Sequence, residues 1–175
     1  PLGPGRSVCG PCVTVEDREG GDLIALAAVE VIQPGDVLLV KGREDGERAS
    51  WSLIHTRAAR LRGVGGIVVL GLVSDVGEIV RQGLPAFAFG VSALPCVEGS
   101  GGTVNLPVLW GGEPVSPGDI VIGNEDGVVV VQAAALRDVL AQAQRLAEAQ
   151  QRSLFQLESG AWPLDATGLR SRFRK

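Results

Sequence analysis

The sequence predicts a mixed α/β or α+β domain, and three observations predict it. Aliphatic residues dominate, aromatics are only 4% and there are 25 glycines, a composition suited to short buried strands joined by tight turns. Apolar runs of strand length alternate with stretches of helical spacing. Pro-Gly and Asp-Gly pairs punctuate them. At 175 residues one well-buried domain is expected, since two would each have a meagre core.

Val8 to Glu16 alternates apolar and polar positions as a half-buried strand does, and Glu19 to Asp22 supply the turn that ends it. Leu23 to Val31 carries helical spacing until Gln33-Pro34-Gly35-Asp36, where proline presets φ and glycine accepts φ > 0, as a type II turn requires. Val37 to Val40 is a short buried strand. The same turn recurs as Ser116-Pro117-Gly118-Asp119 before Ile120 to Ile122, without matching flanks that would make it an internal repeat. A helix begins near Ser50 and runs through Arg57 to Arg62, with Gly63 at its C-terminal cap. Ile67 to Leu70 reads as a buried strand with a sharp turn at Gly71. A helix around Val76 to Gln82 and a strand at Ala86 to Phe89 complete a right-handed β-α-β pattern. Asn105 to Leu109, Ile120 to Gly123 and Val128 to Gln132 read as strands, the last two joined by a hairpin at Asp126-Gly127. Ala133 to Glu158 is a long helix with Leu136, Val139, Leu140, Ala143, Leu146 and Ala147 at three and four spacing. That stripe packs either on its own sheet or on a neighbouring subunit.

Several function classes fall away. Sixteen basic against 20 acidic residues give a formal charge of −4, with the basic residues scattered, so no footprint for a nucleic-acid backbone exists. Arg170, Arg172, Arg174 and Lys175 form a basic tail over 161–175, read as solvated. No apolar run approaches the ~20 residues of a membrane helix, so no membrane partner is expected. Three cysteines, an odd number, point to reduced thiols and a cytoplasmic home. The chain has no Met and opens on Pro1-Leu2-Gly3-Pro4, from which a preceding N-terminal segment is expected.

Cys9-Gly10-Pro11-Cys12 spells a dithiol motif, but the alternating strand Val13-Thr14-Val15 follows it. A redox pair needs a helix there to lower the thiol pKa. Packing is the expectation. A zinc site from Cys9, Cys12, Cys96 and His55 lacks a second local pair. His55, the sole histidine, falls on an apolar-spaced helix and is read as structural. No nucleophile elbow is present, and Gly63 to Gly66 follows its helix, the wrong order for a dinucleotide fingerprint.

The segment Trp51 to Asp75, WSLIHTRAARLRGVGGIVVLGLVSD, resembles the active-site segment of the class II 4-hydroxy-4-methyl-2-oxoglutarate aldolases (the HMG/CHA aldolase family) and the related RraA-like regulators of RNase E. Gly10 to Val15, the Q-P-G-D-V-L-x-V element and P-G-D-I-V-I-G-N-x-D-G-V-V-V-V extend the resemblance over Leu2 to Leu157. It implies a swivelling β/β/α domain over 1–160, mixed sheets flanked by helices, a short helical segment ahead of the chain, and a homotrimer or hexamer with sites at subunit interfaces. It also implies a divalent metal, usually magnesium, and an arginine that together stabilise an enolate after cleavage of a small 2-oxo acid.

The reactive positions have mostly changed. Ser74 stands at the family arginine, Leu53 at the family acid after the tryptophan, and Ser52 at the intervening glycine. Asp75 remains as the family metal ligand, and either holds Mg2+ weakly or caps the helix starting at Val76. The family's glycine-rich loop corresponds to Lys41-Gly42-Arg43-Glu44-Asp45-Gly46, so Arg43, Gly46 and Ser74 are the candidate substrate contacts. Lys41, Arg43 or Arg48 is available to replace the lost cation, although solvated loop charges are the plainer reading. In the resembled enzymes an acid from a neighbouring C-terminal region approaches the site, and Glu148 and Glu158 are the acids available here. The function expected is that of an oligomeric binding or regulatory protein without the aldolase reaction. The alternative is a divergent magnesium-dependent aldolase or decarboxylase-type lyase.

Overall fold

The computed structural model describes residues 1–43 and 46–173 and divides the chain into two compact units, Pro1–Ala133 and Ala134–Lys175. The first unit is built on an eight-stranded sheet. Its strands are β1 (Val8–Asp17), β2 (Val37–Lys41), β3 (Ala49–Trp51), β4 (Gly66–Val73), β5 (Ala86–Val91), β6 (Gly102–Val104), β9 (Ile120–Asn124) and β10 (Gly127–Val131). Along the sheet the order is β10, β9, β1, β2, β4, β3, with β5 on β4 and β6 on β1. β1, β2, β4, β3 and β5 run parallel, while β6 and β9 pair antiparallel with β1, and β10 pairs antiparallel with β9. A separate hairpin pairs β7 (Val108–Trp110) with β8 (Glu113–Val115).

Central parallel strands are covered on both faces, and this explains the unbroken apolar runs VLLV and IVVL. From β2, Leu38 and Val40 enter one core with Val15, Trp51, Ile67 and Ile79. Val37 and Leu39 enter the other with Val8, Cys12, Phe87 and Val121. Fully burying each such side chain contributes about 1.5–3 kcal/mol. The first core is roofed by α1 (Asp22–Val31) and α2 (Leu53–Leu61), which supply Ala25, Ala28, Val29 and Ala59, and by α3 (Val76–Arg81), which supplies Ile79. Alanines let the first two helices lie close to the strands.

The two Pro-Gly turns are built alike. Gly35 has φ 91° and Gly118 φ 88°. Asp36 and Asp119 N–H donate to the Gln33 and Ser116 carbonyls at 3.1 Å each. Their carboxylates accept the Gln33 and Ser116 N–H at 2.7 and 2.8 Å. Val37 then pairs with Cys12 and Ile120 with Pro11, so the turns deliver strands to the two edges of β1 at one level.

Four local expectations change. α2 begins at Leu53, and Ala49–Trp51 ahead of it is a strand. β4 passes straight through Gly71, where the pairing with β5 shifts register between Val69 and Leu72. Of the stretch expected as a strand over Asn105 to Leu109, only Val108 and Leu109 are in one, β7, because Asn105 adopts φ 57° and stands in the break between β6 and β7. In the β9–β10 hairpin the turn residues are Glu125 and Asp126, with Gly127 already paired to Asn124.

In the second unit, α4 (Leu136–Glu158) spans 23 residues, follows a short 3-10 turn at Ala133–Ala135 and has no buried residue. Gly160, at φ 90°, ends it. Pro163 then opens the short α5 (Pro163–Ala166), in the first helical position that proline favours. Arg170, in a 3-10 turn within the expected basic tail, pairs with Asp165. Arg174 and Lys175 of that tail lie outside the described residues, as do Glu44 and Asp45.

Candidate functional site

The ends of β3 and β4 lie side by side, with Ala49 beside Leu72 and Trp51 beside Val73. Ser74 N–H closes this junction on the Trp51 carbonyl at 3.0 Å. Both strands then lead into helices at the same place, so the start of α2 faces the start of α3. This adjacency brings together two positions that stand 22 apart in sequence: Leu53 N–H donates to Asp75 Oδ2 at 3.2 Å.

Asp75 is exposed and adopts φ 58°, ψ 31°, a left-handed conformation that aspartate tolerates better than most residues. Its carbonyl opens α3 by accepting the Glu78 and Ile79 N–H at 2.9 and 3.0 Å. Its carboxylate makes no cap to that helix. Instead it lies at the N-terminus of α2, where unpaired amides and the helix dipole favour an anion. Ser74 Oγ donates to the same Oδ2 at 3.3 Å. The sequence reading of Asp75 as an N-terminal residue of α3 therefore holds for its backbone, while its side chain serves α2.

The start of α2 is built by Ser52 and His55. Ser52 N–H and Oγ lie 3.1 and 2.9 Å from His55 Nδ1, and Nε2 lies 3.1 Å from the Asp22 carbonyl. That network requires Nε2 to carry the proton. Histidine thus takes the place that glutamate or glutamine fills in a capping box. The ring is 1% exposed and lies 5.0 Å from the Trp51 ring. Burial pushes its pKa below the ordinary histidine value, which keeps it neutral. Trp51 Nε1 donates to Thr56 Oγ1 at 2.8 Å, and that hydroxyl donates to the Ser52 carbonyl at 3.0 Å. His55 is structural, and the Ser52-x-x-His55 spacing was the signal that could have revealed its role.

A pocket of about 310 Å³ opens on the glycine-rich loop side, where Arg43, Gly46, Arg48 and Ser50 meet Glu19 and Glu47. Two of the three expected substrate contacts, Arg43 and Gly46, therefore share a cavity, whereas Ser74 is not among its lining residues. Arg48 Nη1 also donates to the Pro95 carbonyl at 3.3 Å. Lys41 Nζ lies 3.8 Å from Glu16 Oε1. Glu19, Gly20 and Leu94 reach the pocket from distant segments, and no local pattern announces them.

The donor set around Asp75 does not fit a divalent ion such as magnesium. Such an ion seeks an octahedron of oxygens, with one or two carboxylates among them. Here one carboxylate is engaged by an amide and a hydroxyl, and the residue that lends that amide, Leu53, has an apolar side chain with no oxygen to offer. Among the described residues no three His, Cys, Asp or Glu side chains gather closely enough to hold a metal ion.

The thiols do not form a redox pair. Along β1, Cys9 is exposed and Cys12 buried, with burial alternating along this part of the strand, so they point to opposite faces. Cys12 Sγ donates to the Ser116 carbonyl at 3.2 Å, and burial with Asp119 nearby pushes its pKa up to about 11. Burial raises Cys96 to about 11 as well.

The fold and this junction define a class: an α/β domain whose paired strand ends bring two helix starts together around one carboxylate. The family model described as "RraA-like: Aldolase/RraA" matches residues 1–130, and the chain belongs to that family. A relative from Halalkalibacterium halodurans, provisionally named a 4-hydroxy-4-methyl-2-oxoglutarate aldolase, is 31% identical over 83% of this chain and 69% of its own. One from Albidiferax ferrireducens with the same provisional name is 34% identical over 71% of this chain and 76% of its own. Among solved structures, Streptomyces coelicolor RraAS2, described as an unusual member of the RNase ES inhibitor RraA protein family, superposes with a TM-score of 0.79. It has 27% identity over 89% of this chain and 81% of its own. No helix among the described residues is long and apolar enough to cross a membrane.

Proposed function

We propose that this chain is a cytoplasmic, homo-oligomeric RraA-like protein, a trimer or a hexamer, that binds or regulates a protein partner and does not carry out the family's carbon–carbon cleavage. One observation carries the reading. The hydroxyl of Ser74 is turned onto Asp75, at the position where the resemblance leads one to expect the enolate-stabilising arginine. An arginine offers a permanent charge in a fork that holds a carboxylate at two points, and serine offers neither. Loss of even one neutral oxyanion donor costs roughly 100 to 1000-fold in rate. Leu53, which supplies only its backbone amide to the site, supports the same reading. The likeness to RraAS2 supports a protein partner.

A second reading rests on Arg43 and Arg48 at one pocket with Gly46: a lyase on a small 2-oxo acid, with the cation supplied from the loop. The deciding measurement is pyruvate release from oxaloacetate and from 4-hydroxy-4-methyl-2-oxoglutarate, with and without Mg2+. The expected result is no metal-dependent turnover. Robust turnover that is abolished in Arg43→Ala or Arg48→Ala establishes the second reading and overturns the first.

A further inference from the structure

The stripe along α4 has a finer order than amphipathic spacing alone. Leu140, Ala143, Ala147, Gln150, Leu154 and Leu157 follow one another at alternating steps of three and four, the seam of a coiled coil. Leu140 is 55% exposed, Leu154 50% and Leu157 38%, and the intervening Ala143, Ala147 and Gln150 are exposed too. A helix of 23 residues with no buried residue gains little from propensity alone, since most helical stability in proteins comes from burying such a face.

We propose that α4 is a self-recognition helix that pairs antiparallel with α4 of a second copy of this chain. The order of side chains selects both the partner and the direction. In a parallel pair each seam position meets its own copy, so Ala143 and Ala147 would make two successive small layers with a void between the helices. In the antiparallel register that sets Leu140 opposite Leu157, Ala143 meets Leu154 and Ala147 meets Gln150, so small faces large. The same register brings the flanking positions together as Arg137 beside Glu158 and Gln144 beside Gln151. Two-fold symmetry makes each of these contacts twice. Opposite charges meet at both ends of the seam and amides meet in its middle, a complementarity that the helix has with itself and that the parallel arrangement lacks. This surface stands apart from the loss of catalysis, and because a two-fold contact does not close a trimer, it assigns the interface that joins two trimers into the hexamer of the proposal above.

Sedimentation equilibrium on the full-length chain tests it, with far-ultraviolet circular dichroism confirming that each variant keeps its helix. Arg137→Glu alone and Glu158→Arg alone each set like charges together at both ends and are expected to raise the dissociation constant roughly tenfold or more. The double variant, which restores opposite charges in exchanged places, is expected to recover wild-type association. Single swaps that weaken association without recovery in the double overturn the antiparallel register. Association indifferent to both swaps overturns α4 as the interface and leaves a homo-oligomer built on another surface. A monomer at every concentration overturns this pairing and the homo-oligomeric reading together.

Discussion

At Asp75 one carboxylate answers to two neighbours, an amide at the head of α2 and the hydroxyl of Ser74. Leu53 sits where a second carboxylate would have to stand, and its amide already lies 3.2 Å from the first. A Leu53→Asp substitution places two acids together at a helix N-terminus, where negative charge is tolerated. Titration calorimetry is expected to show Mg2+ binding at least tenfold tighter than in the wild type, with the gain lost on adding Asp75→Asn. His55 gives a separate prediction at this scale. Its folded pKa lies below the unfolded value near 6.5, so below that pH the unfolded chain binds the extra proton and stability falls as pH drops. His55→Gln keeps an acceptor for Ser52 and removes the titration. Urea midpoints between about pH 6.5 and pH 5, above the ordinary carboxylate range, should therefore slope less in the variant.

Among the elements, the join between the strand-to-helix turn after β1 and the loop ahead of β6 is set by backbone contact. Gly21 and Val97 form a parallel bridge, and a Cβ at Gly21 would come within 2.2 Å of the Gly99 carbonyl oxygen. Gly21 has φ −89°, so the obstacle to alanine there is space and not conformation. Gly21→Ala is expected to destabilise by about 1–3 kcal/mol, the usual cost of overpacking, seen as a lower denaturation midpoint. This level is also where the sequence was most and least legible. Parallel strands announce themselves as continuous apolar runs, and the Pro-Gly turns as fixed chemistry. β3 was hidden, because three residues carry no period and Ser50 resembles a helix start. Gly71 was misread as a turn, although a Cβ there would lie 3.4 Å from the Gly42 Cα, which shows a strand position where another backbone passes close by. In the site, Leu53 and Asp75 came together through the spacing of a known motif. The pocket walls at Glu19 and Leu94 depend on long-range register, which no window of sequence contains.

For the molecule as a whole, the matched family region ends at residue 130 and the first compact unit at Ala133. Both hydrophobic cores consist of residues in that unit. A fragment spanning 1–133 is accordingly expected to unfold cooperatively, with a thermal midpoint within a few degrees of the full chain. It should also lose the association attributed to α4. Calorimetry and sedimentation on the same fragment check the two halves of this expectation separately. A fragment without a cooperative transition would show that the second unit contributes to the stability of the first.

The matched Pro-Gly turns on either side of β1 bear on how the chain avoids wrong pairings. A one-residue slip of β1 would send its inward side chains outward, and here it would have to undo two prefabricated corners at once, since Cys12 donates its amide to Asp119 and accepts from Gly118 while pairing with Val37. Misthreaded forms are thereby penalised twice for a single error. Lengthening either corner by one residue removes one safeguard only, so frame errors should surface as a slow-refolding minority when both corners are lengthened together.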